Sequence, residues 1–321
     1  MEYIPLSGNA ARQLIDACVV FDEHQRVRAQ ARAYAGGMYW KRQDAYEYLV
    51  KTAPNNRQKR LGPRSAQLEA VYAEFTGRKQ ALEQRLAALR LQLTDAERTN
   101  KALKAGRVPP TVVAVLASIE EAGLDAHFVV VGTHALYAYE AAAGVRIVQG
   151  ALATQDVDLL WDARRRVQFV TDMEKFDGSM LRVLQSADAS FQRKEGHKEG
   201  HKETAINAKG FEVDFLRRMQ VDGDPHPFRF TADEDDLWPV QAHRAAVLTS
   251  APRFSHAVVA STGKMARMRT ISPATFVEFK RWMADKAVYR EDTKRRRDLR
   301  QASIVQSLLD DGRLLALAGA R

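Results

Sequence analysis

Apolar positions recur at helical spacing near both ends of this chain and at strand spacing through its middle. Residues 9–35, rich in Ala, Arg and Gln, read as a helix that stops at Gly36–Gly37. A longer helix is predicted from Ala66 to about Ala105. Leu82, Leu86, Leu89, Leu91 and Leu93 form its apolar stripe, and Gly77 is its expected interruption. A hairpin arm or a dimer contact would both suit such a length. Between the two helices, Tyr39, Trp40, Tyr46 and Tyr48 interleave with Lys41, Arg42 and Lys51. That mixture suits the packed side of a helix or a surface that stacks bases. Residues 53–65 read as a basic, turn-rich loop.

Past Val108–Pro110 the pattern changes. A helix over 111–124 precedes a short buried strand, "HFVVVG" (127–132), and a second helix over 133–145 with Thr133 near its N-cap. "DVDLLW" (156–161) is the next strand, followed by helices over 165–176 and 179–187. "TAINAKGFEVDFLR" (204–217) has a hairpin pattern with its turn at Asn207–Gly210. A further strand pair over 256–271 turns at Gly263. Ser272–Pro273 is an N-cap and first-turn proline for a helix, and another helix covers 293–312. The fold class expected is α+β. A helical N-terminal region (1–107) precedes a mixed-sheet core (108–271) and a C-terminal helical cap (272–321).

Composition narrows the setting. The single cysteine, Cys18, excludes an internal disulfide framework, and no apolar stretch is long enough to span a bilayer. The start of the chain lacks the basic-then-apolar layout of a secretory signal, so a cytoplasmic protein is expected. Net charge is +9 but uneven. The first 110 residues hold 19 Lys/Arg against 11 Asp/Glu, and residues 264–300 hold 12 against 5, so the remainder is net acidic. Basic flanks of this kind attract polyanions, or are solvated helix faces.

The chemistry concentrates in "TQDVDLLWD" (154–162). On a strand, Asp156 and Asp158 share a face while Val157 and Leu159 point into the core. Two ionised carboxylates so close repel, and a cation relieves them; Mg²⁺ prefers such oxygen ligands. Upstream, Gly132–Thr133 between strand and helix lets backbone and hydroxyl approach phosphate oxygens. Downstream, Asp214 sits in the alternating run "FEVDFL".

The order of these parts resembles the nucleotidyltransferase superfamily typified by DNA polymerase β. Its core has a strand ending in Gly followed by Gly or Ser, an acidic-x-acidic strand, and a third acidic strand residue. The matching stretches are "VVVGTHALYAYE" (129–140), "ATQDVDLLWD" (153–162) and "FEVDFLR" (211–217). Within the superfamily the resemblance points to bacterial branches, uncharacterised or toxin-like, and the segment "YW…YEYL…LGPRS" also resembles the N-terminal extension of one uncharacterised branch. Two departures stand out: Thr133 replaces Gly or Ser, and "AAAGVRIVQGALAT" lengthens the path from Gly132 to Asp156.

The resemblance implies transfer of a nucleoside monophosphate from an NTP, such as ATP, with pyrophosphate leaving. Asp156, Asp158 and Asp214 would be the catalytic and metal-holding residues for Mg²⁺, or Mn²⁺ in its place, with Asp214 a general-base candidate. Gly132, Thr133 and Lys280 would bind the nucleotide. Arg297 and Asp298 fall in a related C-terminal helix, Asp298 as a structural partner of an arginine or a cap. The basic flanks make RNA, and tRNA within it, the leading acceptor, with Lys59, Arg60 and Arg64 as contacts. A protein hydroxyl is the alternative acceptor, and a toxin–antitoxin or defence role fits by analogy. A catalytically silent module that binds nucleic acid is the rival from another class. The tandem "GHKEGHKE" (196–203) places His197 and His201 four apart, but its glycines favour a loop over a zinc site.

Overall fold

The computed structural model describes residues 2–152, 154–176, 178–194, 204–221, 228–287 and 291–315; His197 and His201 lie outside them. The protein is α+β, as expected, and its chain divides into two compact units, residues 12–99 and residues 1–11 with 100–321.

A short strand β1 (Tyr3–Pro5) and helix α1 (Gly8–Arg32) come first. They are followed by β2 (Gly37–Gln43), β3 (Tyr46–Thr52), β4 (Gln58–Pro63) and the 37-residue helix α2 (Ala66–Ala102). Strands β2, β3 and β4 form an antiparallel meander. The N-terminal region is therefore not helical throughout. Residues 38–52 are a hairpin rather than a helix face, and the basic loop contains a strand.

Alternation explains the difference. Trp40 and Leu49 are cross-strand partners on one face, Tyr39 and Val50 on the other. Leu49 is fully buried, and Trp40 lies against Tyr72 of α2 with ring centroids 6.0 Å apart. Tyr39 and Tyr46 stay exposed on the opposite face. Asp44, with a φ of 54°, supplies the left-handed turn between the strands. Helix α2 runs straight through Gly77. An added Cβ there would meet nothing within 4 Å. A glycine on such an open face costs only about 1 kcal/mol, too little to break so long a helix.

In the larger unit, α3 (Pro110–Glu121) buries Val112, Val113, Val115, Leu116 and Ile119. After it come β5 (Phe128–Val131), α4 (Ala135–Ala143), β6 (Val145–Ile147), β7 (Asp156–Trp161), α5 (Arg166–Phe176) and α6 (Met180–Ala187). Then follow β8 (Gln192–Arg193), β9 (Thr204–Ile206), β10 (Glu212–Arg217), β11 (Val240–Gln241) and α7 (Ala245–Ser250). The strand pair β12 (Arg253–Val259) and β13 (Met265–Ile271) and the helices α8 (Pro273–Lys286) and α9 (Asp292–Asp310) complete it.

The central sheet has the order β5-β7-β10-β9-β8, with β11 also paired to β10. Strands β7 and β10 are parallel; β5 with β7 and β9 with β10 are antiparallel. One face is dry. Val157, Leu159 and Trp161 of β7 and Val213 and Phe215 of β10 point into a core shared with Phe128, Phe169, Phe228 and Phe230. Trp161 stacks on Phe228 at 4.2 Å. The period-2 alternation then obliges Asp156, Asp158 and Asp214 to share the other face.

The extra length between Gly132 and Asp156 has a structural use. Its residues 145–147 form β6, which pairs antiparallel with β1. Buried Glu140 anchors the segment by accepting from the Arg107 guanidinium (Nε at 2.9 Å) and from the Ile147 backbone N–H, also at 2.9 Å. At the C-terminal end, Ser272 accepts from the Thr275 backbone N–H and Pro273 opens α8, as the sequence indicates.

Candidate active site

The three aspartates come together through register. In the parallel ladder Asp214 is the partner of Asp158, and Glu212 of Asp156. Oxygens of Asp156, Asp158 and Asp214 lie within 4.8 Å of one another, and each residue is half-buried. The Thr154 hydroxyl donates to Asp156 and the Thr204 hydroxyl to Asp214. The hydroxyls add no charge to offset three carboxylates, and Lys194, whose charge also acts on Asp214, is bound to Glu212 at 2.6 Å. An all-oxygen, all-anionic donor set suits Mg²⁺ or Mn²⁺, so these residues fit the metal the sequence implies.

Gly132 follows β5 with a φ of 70°, and a Cβ built there would run into the Asp158 carboxylate. Only glycine satisfies both demands. Thr133 sits in a one-turn 3₁₀ segment, Gly132–His134, that leads into α4. Its hydroxyl does not cap that helix, as the sequence suggested. Instead it accepts from Nε2 of Gln301 on α9 at 3.2 Å; the same nitrogen donates to the Ala151 carbonyl at 2.7 Å. Next to it, His134 is buried, packs against Tyr137 and Phe211, and hydrogen-bonds to the Asp156 backbone. Burial holds its pKa down at about 4, against the raising effect of Asp156, so the imidazole is neutral near pH 7.

A cavity of about 800 Å³ opens at Asp156 and Asp158, and Asp214 is not among its lining residues. Gly132, Thr133, Asp156 and Asp158 line one wall; Lys280, Lys286, Lys294 and Arg297 from the two C-terminal helices line another. Lys280 is buried rather than a solvated helix lysine, and it lines the cavity. Its ammonium is also bound to the Asp298 carboxylate at 2.8 Å, with both groups buried, so Asp298 pairs with a lysine. Lys59, Arg60 and Arg64 belong to the 12–99 unit and are exposed. Arg60 lies over the Tyr48 ring at 3.8 Å, and Arg64 is tied to Glu47 and Glu69 at 2.5 and 2.7 Å.

Several neighbours have no sequence motif. Thr204 was readable in principle, since the hairpin register sets it opposite Asp214. Gln301, Arg244 and Trp282 reach the cavity region through tertiary packing alone. Arg244 has a φ of 60°, and its guanidinium lies over the Trp282 ring at 4.7 Å. No helix among the described residues is long and apolar enough to cross a membrane.

Comparison with known families agrees with this geometry. A family model described as nucleotidyltransferase matches residues 110–321, which take in all three aspartates, the Gly132 turn and both C-terminal helices. No curated protein and no solved structure matches the chain. The chain belongs to the nucleotidyltransferase family, and it is a transferase of nucleotidyl groups.

Proposed function

We propose that the protein transfers a nucleoside monophosphate from an NTP to a hydroxyl of RNA, tRNA being the leading candidate. The observation that carries the reading is the cavity's polarity, with aspartates on one wall and lysines and an arginine on the facing helices. A triphosphate needs both. Its oxygens take Lys and Arg as donors, and its charge is tolerated beside carboxylates only when a divalent cation lies between.

Asp156, Asp158 and Asp214 would hold Mg²⁺, which supplies charge stabilisation to the phosphoryl group when bound. The protein's own groups do the rest. The Gly132 turn brings backbone close to the phosphates, the Thr133 hydroxyl is oriented by Gln301, and Lys286, Lys294 and Arg297 offset the triphosphate charge. The acceptor oxygen bonds to the α-phosphorus as the bond to the β-phosphate's bridging oxygen breaks. Pyrophosphate leaves, and the hydroxyl proton passes to the Asp214 carboxylate.

RNA as acceptor is supported by the basic flanks and by Lys59 and Arg60 on exposed β4. Arg64 contributes less, being neutralised by two glutamates. A toxin or defence role fits this acceptor. The test is incubation with each α-³²P-labelled NTP, Mg²⁺ and total cellular RNA, beside an Asp156→Ala/Asp158→Ala variant. Label in an RNA band that the variant fails to produce is the expected result. Label on protein moves the acceptor to a side-chain hydroxyl. Transfer to neither, with RNA bound equally by both proteins, overturns the enzymatic reading in favour of a binding module.

A further inference from the structure

The cavity has a third wall that the triphosphate chemistry does not use. Trp282 on α8 lines it, half-buried, together with Phe279 and with Arg244 from the turn before α7. Phe279 and Trp282 lie nearly parallel, 26° apart with centroids at 6.2 Å. Arg244 holds its guanidinium over the indole at 4.7 Å. Its backbone sits in the left-handed region, φ 60°, which an L-residue with a long side chain rarely adopts. The site therefore keeps a layered, cationic π-surface inside a cavity that also holds aspartates, lysines and an arginine.

Aromatic rings and guanidinium planes are what proteins offer to a nucleobase. They give stacking and cation–π attraction without demanding a particular base edge. Triphosphate oxygens have no use for the aromatic rings, and the Arg244 guanidinium already lies over the indole.

We propose that the Trp282–Arg244 layer is the nucleobase shelf of the NTP site, with Phe279 backing the indole. The NTP then lies with its phosphates toward Asp156 and Asp158 and its base toward α8. This rests on the nucleotidyl-transfer reading of the cavity and adds to it where the base goes and which residues hold it.

The test separates base from phosphate. Binding of the four α,β-methylene NTPs, which cannot be turned over at that bond, is compared with binding of inorganic tripolyphosphate, in Mg²⁺. Trp282→Ala, Trp282→Phe and Arg244→Ala are measured beside the parent protein. The parent is expected to bind the analogues about tenfold or more tighter than tripolyphosphate, the usual worth of a stacked base. Trp282→Ala and Arg244→Ala should close that gap while tripolyphosphate affinity holds, which also shows that they are folded. Trp282→Phe should keep part of it. If the parent prefers the analogues and the variants keep the full preference, the base lies elsewhere and the shelf assignment fails. If Trp282→Ala loses tripolyphosphate as well, Arg244→Ala decides by the same comparison. Failure of the parent to bind either probe overturns the NTP reading itself.

Discussion

Gln301 donates its side-chain amide to the hydroxyl of Thr133 at 3.2 Å, joining the last long helix to the turn that follows β5. Both residues are buried. A threonine hydroxyl is a rotor, and a fixed donor settles where its lone pairs and its own proton point. The proposed phosphate contact thus depends on a residue far along the chain.

Replacing Gln301 by Leu or Glu removes the N–H that serves Thr133 and Ala151. The expected cost is about 2 kcal/mol in denaturant unfolding, from two buried acceptors left without a donor. In steady-state kinetics KM for the NTP should rise about tenfold, the worth of roughly 1.4 kcal/mol, with a smaller change in kcat. A Gln301→Glu protein with unaltered KM would show that the hydroxyl's orientation is unimportant.

The aspartate cluster predicts opposite responses with and without metal. In chelator, Asp158→Asn and Asp214→Asn should be as stable as the parent or more so, because one of three crowded charges is gone. On adding Mg²⁺ at ten- to a hundredfold its Kd, the parent should gain about 1–3 kcal/mol and the variants little. Thermal unfolding in EDTA and in Mg²⁺ checks both signs.

Lys280 and Asp298 form a buried pair, 5% and 0% exposed, at the edge of the cavity. Lys280→Met should cost about 3 kcal/mol because it takes the cation away from a buried carboxylate, and Lys280→Met with Asp298→Leu should recover most of that loss. Urea unfolding of the double-mutant cycle measures the coupling. Lys280 also lines the cavity, so the refolded double variant is expected to keep a raised KM for the NTP. A normal KM would confine the lysine to a structural role.

Asp162, at the far end of β7, predicts an acid limb. Burial alone would raise its pKa, but the hydrogen bonds and charge of Arg164 and the charge of Arg253 outweigh it and hold it below 3.8. The unfolded chain therefore binds this proton first as pH falls. The stabilisation is fully present above about pH 4 and is lost as pH drops through the native value. Asp162→Asn should be less stable at pH 7 and show a shallower decline below pH 4, read from unfolding midpoints across pH.

The aspartates were legible in the sequence because strand alternation is local: Val157 and Leu159 require one face, so Asp156 and Asp158 take the other. Gly132 was legible for the same reason, though the steric demand for it comes from Asp158, which belongs to another strand. Trp40, Tyr46 and Tyr48 were harder. Aromatic residues fit either period, and the left-handed turn at Asp44 lacked the Asn-Gly or Asp-Gly signature. Gln301, Arg244 and Trp282 carry no local signal at all. Their place is set by how α7, α8 and α9 pack, and neither capping nor periodicity reports that.

The parallel pairing of β7 with β10 has a kinetic side. Asp158 and Asp214 are ladder neighbours, yet all of α5, α6, β8 and β9 intervenes in the chain. Joining them needs a long loop to close before any contact rewards it, so this ladder belongs to the slow, late part of folding. Ions that relieve the carboxylates would then act after the barrier. They should leave the refolding rate nearly untouched and lengthen the lifetime of the native state.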